Sequence, residues 1–176
     1  LGGEGMSKID LKEAAEFWEK RDKHSVKVER LELLHEMEQF ILSHNTCALA
    51  TGSRNFVRCT PIEYSYKDGA FWLFSEGGLK FKALLKNKNV CLAIFDPFTT
   101  FDTLNGMQIS GRAEIIDMWS EEYLNMLAFK KIQAEALKKS SNQLYLIKIK
   151  PSRIDYINAE FKKLGFDVRQ HIIFDD

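Results

Sequence analysis

Several ingredients are scarce in this sequence, and each shortage narrows the reading. Prolines number 3 and glycines 10 in 176 residues, too few for a fibrous or low-complexity chain. Cysteine is limited to Cys47, Cys59 and Cys91, with no CxxC spacing and no adjacent histidine. An odd number of cysteines in apolar runs argues for buried thiols rather than a disulfide framework or a zinc site, and for a reducing cytoplasm. No apolar run approaches the ~18 residues needed to span a bilayer, and no basic-then-apolar leader opens the chain. Net charge is missing too: 25 Lys and Arg balance 25 Asp and Glu. A general nucleic-acid binder needs a positive excess to neutralise phosphates, so that class is set aside. His24, His35, His44 and His171 form no HxxxH or HxH pair, and no metal site is expected. Neither Gly-x-Ser-x-Gly nor GxxxxGK[ST] occurs, so hydrolase and ATPase readings lack their motifs.

What is present suits one globular unit. Hydrophobic residues make up 45%, enough to fill a core at this length. The residues before Met6 read as an unstructured extension. Residues 1–28 are expected to be an extension and a helix, and residues 29–176 a single domain.

Asp10, with Glu13 three residues later, opens the first helix in a capping-box-like pattern. Leu11, Ala14, Ala15 and Trp18 give it one apolar face, and residues 21–28 read as a linker. A second helix is predicted from about Glu29 to Ser43, with Leu33, Leu34, Met37, Phe40 and Ile41 inward. The period then switches to alternation. Strands are predicted over 46–51, 56–66, 70–75, 90–95 and 107–117, the last with a bulge or bend at Gly111. A short helix over 79–87 would turn Phe81, Leu84 and Leu85 inward. A long helix from Ser120 to about Lys139 carries carboxylates at its start and lysines at its end. A strand over 143–150 is expected to stop at Pro151, with weaker strands over 153–157 and 165–174. Strand runs joined mostly by hairpins, with helices at the front and in a late crossover, indicate an α+β class. The architecture expected is a six- or seven-stranded, mostly antiparallel barrel with flanking helices.

Three groups of residues can carry chemistry. In Gly77-Gly78-Leu79-Lys80, glycines let a ligand approach the backbone, Lys80 supplies a charge at a helix start, and Ser75 offers a hydroxyl. Together they suit a phosphate; the plain alternative is a turn with a solvated lysine. Arg58 and Thr60 share a strand face with Ile62, Tyr64 and Tyr66. An arginine and a threonine so placed can hold a phosphate or a ring edge, or simply form a polar surface. Gln108, Ser110, Arg112 and Glu114 alternate with apolar neighbours, so one face of that strand is polar, facing solvent or a partner chain. Gln108 can read the edge of a heterocycle through its amide. No side chain is a convincing general acid or base.

Four segments, taken together, resemble the pyridoxamine 5'-phosphate oxidase-like family of FMN-binding split β-barrels. They are Thr46–Thr51; Arg58-Cys-Thr-Pro61 with Ile62; Phe74-Ser75 with Gly78–Leu84 and Asn87–Val90; and Ile109-Ser-Gly-Arg-Ala-Glu114. The helix at 30–42 leading into the first segment fits as well. The resemblance implies a split-barrel homodimer with two FMN sites at the subunit interface. It places Lys80, Arg58 and Ser75 on the phosphate or ribityl chain, Thr60 within reach of the ring, and Gln108 as a looser match to a glutamine from the partner chain. It implies an oxidoreductase of unknown substrate, with a small-molecule redox partner or NAD(P)H. The serine-arginine-lysine cluster and the arginine-leucine-x-proline ending of authentic pyridoxamine phosphate oxidase are absent, which speaks against vitamin B6 oxidation. The other readings are a non-catalytic haem- or flavin-binding sensor or storage protein of the same fold, and a structural dimer with a vestigial site.

Overall fold

A computed structural model describes residues 10–174. The expected extension before Met6 lies outside the described residues. The chain opens with helix α1 (Leu11–Asp22) and helix α2 (Arg30–Leu42). The barrel strands follow: β1 (Thr46–Ser53), β2 (Phe56–Glu63), β3 (Ser65–Lys67) and β4 (Ala70–Ser75). The short helix α3 (Lys80–Leu84) then leads into β5 (Asn89–Phe95) and β6 (Asn105–Ile116). Helices α4 (Glu121–Phe129) and α5 (Ala134–Lys139) precede β7 (Tyr145–Asn158). A 3-10 turn (Ala159–Leu164) and β8 (Arg169–Ile173) end the described chain.

All strand pairs are antiparallel, in the order β2-β1-β5-β6-β7-β4-β3, with β8 added to β7. The first and last strands of that order, β2 and β3, are consecutive in sequence, so the sheet curls until its two edges nearly meet. The result is an α+β split barrel with flanking helices. Alternate residues of β1, β5, β6 and β7 point inward to one apolar core: Leu49, Leu92, Ile94, Ile109, Ile147 and Ile149 are at most 1% exposed. Helix α2 adds Leu33, Met37, Phe40 and Ile41 to that core. Helix α4 packs Tyr123, Met126 and Leu127 into a second cluster with Ala70, Trp72 and Leu146.

The expected single strand over 56–66 breaks at Tyr64. Its ring turns into the core, its hydroxyl donates to the Ile41 carbonyl (2.6 Å), and its N–H donates to the Asn45 carbonyl (2.8 Å). That turn carries the chain from one sheet edge to the other. The expected long helix from Ser120 divides in two. Lys131 adopts a positive φ of 57° and Ile132 N–H closes back onto the Leu127 carbonyl (2.8 Å), ending α4 in a left-handed cap. Pro151 does not stop its strand: β7 runs through it, because Pro151 sits at a register shift opposite Gly111 where a missing N–H costs the ladder little. The bend expected at Gly111 is this bulge. A Cβ there would lie 2.4 Å from the Lys150 carbonyl oxygen, so the two strands pass too closely for a side chain. Helix α3 is shorter than expected, which leaves Leu85 outside it and 78% exposed. Of the thiols expected to be buried, Cys47 is buried, Cys91 half-buried and Cys59 exposed on the edge strand. Helix α1 is capped by Asp10, whose carboxylate accepts from Lys12 and Glu13 N–H. None of its residues is buried, so its apolar face lies on the surface.

Candidate functional site

Strand register sorts the candidate residues onto two faces of the sheet. Directly opposed residues in an antiparallel pair point to the same side. Arg58 opposes Thr51 and Thr60 opposes Leu49; Thr51 and Leu49 are 2% and 0% exposed, inside the barrel. Arg58 and Thr60 therefore lie on the inner side. Arg58 is nonetheless exposed and Thr60 half-buried, because β2 is an edge strand at the split. Ile62 shares their face, whereas Tyr64 leaves the strand.

Beside this split, β4 ends at Ser75 and the chain turns through Gly77 and Gly78 into α3. Both glycines have positive φ, 123° and 102°, a region costly for any side chain. The Ser75 hydroxyl donates to the Gly77 carbonyl (3.1 Å) and accepts from the Gly77 N–H (3.2 Å). Lys80 Nζ donates to the same carbonyl (2.6 Å) and lies 3.8 Å from where a Gly78 Cβ would be. Helix α3 packs against β1 and β2. Asn87, just beyond it, donates its side-chain amide to the Gly52 carbonyl (2.8 Å), next to Thr51.

The electrostatics of this corner are unbalanced. Lys80 is only 7% exposed, and burial pushes its amine below the ordinary lysine value. Among the described residues no carboxylate lies within ion-pair distance of Lys80 or Arg58. Buried lysines normally have a partner. The Thr51 hydroxyl, opposite Arg58, is buried with no hydrogen-bond partner among the described residues, and orphaned buried polar groups are uncommon. A corner with a desolvated ammonium, a guanidinium, an unused hydroxyl and a glycine-lined approach fits a phosphate dianion. Thr51 is the member of this group that sequence reasoning passed over. The signal was available in the inward alternation of Cys47, Leu49 and Thr51, which puts a hydroxyl where a core residue is expected.

Gln108 is elsewhere. It opposes Ala93 and Asp155 on the outer face of the sheet. There it lines a cavity of about 540 Å³ beneath α1, with Trp18, Arg153, Asp155, Arg169 and His171. The structure brings Ser75 and Lys80 together and sets Arg58 and Thr60 at the neighbouring split. Gln108 is placed on the other face of the same chain. In the cavity, the Arg169 guanidinium lies 4.0 Å from the Trp18 ring centroid, and Arg153 forks onto Asp155 (2.6 and 2.8 Å). His171 Nδ1 is 3.6 Å from the Asp22 carboxylate. Burial pushes the His171 imidazole down from its ordinary value, and Asp22 partly offsets this. No local motif announces the cavity, since its walls come from opposite ends of the chain.

The rest of the outer face is bare and uncharged over nine positions. Val57, Cys59 and Pro61 of β2, Ala48, Ala50 and Gly52 of β1, and Cys91, Ala93 and Phe95 of β5 all point this way, as their register shows. A groove of about 390 Å³ crosses it, lined by Ala50, Gly52, Val57, Cys91, Ser110 and Ser152 among others.

Comparison with known proteins agrees with this architecture. No curated protein matches the sequence. Solved structures match in fold. A conserved hypothetical protein of Mycobacterium tuberculosis is 22% identical with a TM-score of 0.59, over 87% of this chain and 96% of that one. A FAD-binding protein of Mesorhizobium loti is 16% identical with a TM-score of 0.53, over 69% and 89%. HutZ, the heme storage protein of Vibrio cholerae, is 14% identical with a TM-score of 0.55, over 66% and 87%. The sequence model of the pyridoxamine 5'-phosphate oxidase family matches residues 33–158, from within α2 to the end of β7, and the chain therefore belongs to that family.

Proposed function

We propose that the protein binds FMN at the split of the barrel, between paired copies of this chain, and acts as an oxidoreductase. The observation that carries this reading is Lys80: a nearly buried lysine with a single carbonyl partner, no carboxylate beside it among the described residues, and a glycine turn open next to it. Lys80, Arg58 and Ser75 would hold the phosphate, and Thr51 would gain the partner it lacks. Thr60, on the same inner face as Arg58, lies toward the ribityl chain and ring. Gln108, on the outer face beneath α1, stands apart from this corner and is left out of the proposed site. The flavin would supply hydride or electron transfer. The chain's own part is to neutralise the dianion, orient the ring and exclude water.

Two neighbours in fold are named as a FAD-binding protein and as a heme storage protein. FMN is preferred here because the polar corner offers one compact phosphate cradle. Reconstitution with FMN followed by desalting should leave visible flavin absorption with the protein, bleached by NADH or NADPH. Protein that emerges colourless overturns the reading.

A second reading has its own support. His171 borders the 540 Å³ cavity, and burial lowers its basicity, which favours the neutral imidazole that ligates a metal. Non-catalytic haem binding there would give a sharp Soret shift on titration that is lost on His171→Ala.

A further inference from the structure

Two of the most exposed apolar side chains lie on one loop. Phe98 and Phe101, between β5 and β6, are 104% and 98% exposed, and Phe95 at the end of β5 is 59% exposed. The loop is held rather than loose. Thr100 N–H donates to Thr103 Oγ1 (3.0 Å), Thr103 N–H donates to the Thr100 carbonyl (3.2 Å), and His44 Nε2 sits 2.9 Å from Asp96 at the loop's root. Phe98 itself takes a positive φ of 56°, unfavourable for a bulky residue. A constrained loop presenting two phenylalanines to water needs something to receive them.

The receiving surface is on the same chain. The 390 Å³ groove lies at the Asn89–Cys91 end of β5, whereas the phenylalanines lie at its Phe95 end. At ~3.4 Å per residue the two ends of β5 are roughly 20 Å apart. Between them lie Ala48 and Ala93, small and uncharged, on which another surface can lie flat. Projection at one end and recess at the other, along one face, is what a two-fold axis requires: each copy gives what the other accepts. An axis crossing the strands near Ala93 would put the loop of one copy over the groove of the other.

We propose that Phe98 and Phe101 of one copy dock into the Ala50–Gly52–Cys91–Ser110 groove of a second copy, and that this exchange selects the two-fold pairing. The inference rests on the two-copy reading above but is separable from it. Helix α1 covers the Gln108–His171 portion of the outer face, and the exchanged loops cover the remainder.

The groove carries its own probe in the half-buried Cys91. In a Cys59→Ser background, Phe98→Cys should form a covalent dimer under mild oxidation, seen on a non-reducing gel and abolished by adding Cys91→Ser. Phe98→Ser with Phe101→Ser should raise the dimer dissociation constant in sedimentation by roughly 30-fold or more, as for loss of an aromatic anchor. A dimeric wild type that neither cross-links nor responds to the serine pair overturns the loop exchange and leaves the two-copy reading intact. A cross-link that persists without Cys91 also overturns the exchange. A monomeric wild type overturns both.

Discussion

Replacing Lys80 by methionine separates a ligand-binding lysine from a scaffold lysine, because the two roles predict opposite signs. Methionine keeps the straight stem that fills the space beneath the Gly77–Gly78 turn. The Gly77 carbonyl, which loses its 2.6 Å donor, keeps the Ser75 hydroxyl at 3.1 Å. What disappears is a largely buried charge with no counter-ion among the described residues. The ligand-free variant should therefore melt no lower than wild type, and each 1 kcal/mol recovered from the buried charge should raise Tm by about 2–4 °C in a chain of this size. Affinity should move the other way. A charge-assisted hydrogen bond to phosphate contributes about 1.5–3 kcal/mol, so the FMN dissociation constant should rise about 10- to 150-fold. The pH dependence supplies a second check. Burial lowers the Lys80 pKa in the folded, ligand-free protein below the ordinary 10.5. In the window between that lowered value and 10.5 the unfolded chain holds more protons, so ligand-free stability rises with pH there. A bound phosphate favours the ammonium and reverses the shift, so FMN affinity should fall as Lys80 loses its proton. Isothermal titration and calorimetric melting of both proteins, from neutral to alkaline pH, read all of this. Unchanged FMN affinity refutes the argument. So does a ligand-free variant that melts well below wild type, since Lys80 would then be supporting the turn rather than waiting for an anion.

Two further outcomes follow from the geometry. Gly111→Ala puts a methyl 2.4 Å from the Lys150 carbonyl oxygen and 3.0 Å from Ile149 Cγ2; because backbone must move, it should cost about 2–3 kcal/mol in chemical denaturation, and a neutral substitution would refute the close approach of the two strands. Lowering the pH should loosen α1. Burial holds the His171 pKa below the ordinary 6.5, so stability tied to its neutral form is lost as pH falls from about 6.5 through that lowered value. Asp22, facing His171 across 3.6 Å, has its pKa held low despite burial, by its bond to Lys27 and the nearby His171 charge, so its contribution is lost only at more acid pH. Hydrogen exchange of residues 11–22 should rise below pH 6.5 and be nearly pH-independent in His171→Gln.

Local chemistry made much of the fold legible, and long-range contacts decided the rest. The strands over 46–51 and 90–95 were readable because alternation there coincides with burial, as Leu49 and Leu92 show, and 70–75 because a short apolar run, buried on both faces from Ala70 to Leu73, suits a strand. The bend at Gly111 was readable because a lone glycine in a strand marks a close approach. The break at Tyr64 was not, since nothing nearby foretells that its hydroxyl will find the end of α2. Pro151 misled for a related reason: a proline stops a strand only where the ladder needs its N–H, and here a register shift that leaves Ser152 of its own strand unpaired removes that need. At the candidate site, the pairing of Ser75 with Lys80 was visible in 6 consecutive residues. That Arg58 faces inward beside an orphaned Thr51, while Gln108 faces outward beneath α1, depends on register and so on the whole sheet.

The placement of β7 has a consequence for how the chain reaches this state. Tyr145–Asn158 pairs with β6 along its length, with β4 at its first half and with β8 at its second. Without β7, both β4 and β6 present an open hydrogen-bonding edge flanked by apolar side chains. Ribosome-bound chains shorter than about 150 residues therefore carry two unsatisfied strand edges, an invitation to mispairing between neighbouring nascent chains. Phe71 must also wait for Ile149, 78 positions later, before its ladder closes. Such remote partners make for slow, late-closing assembly. The tempo of folding is thus set by a strand near the end of the chain, while the Ser75–Lys80 corner, whose Ser75 pairs with Tyr145 of that strand, is encoded near the middle.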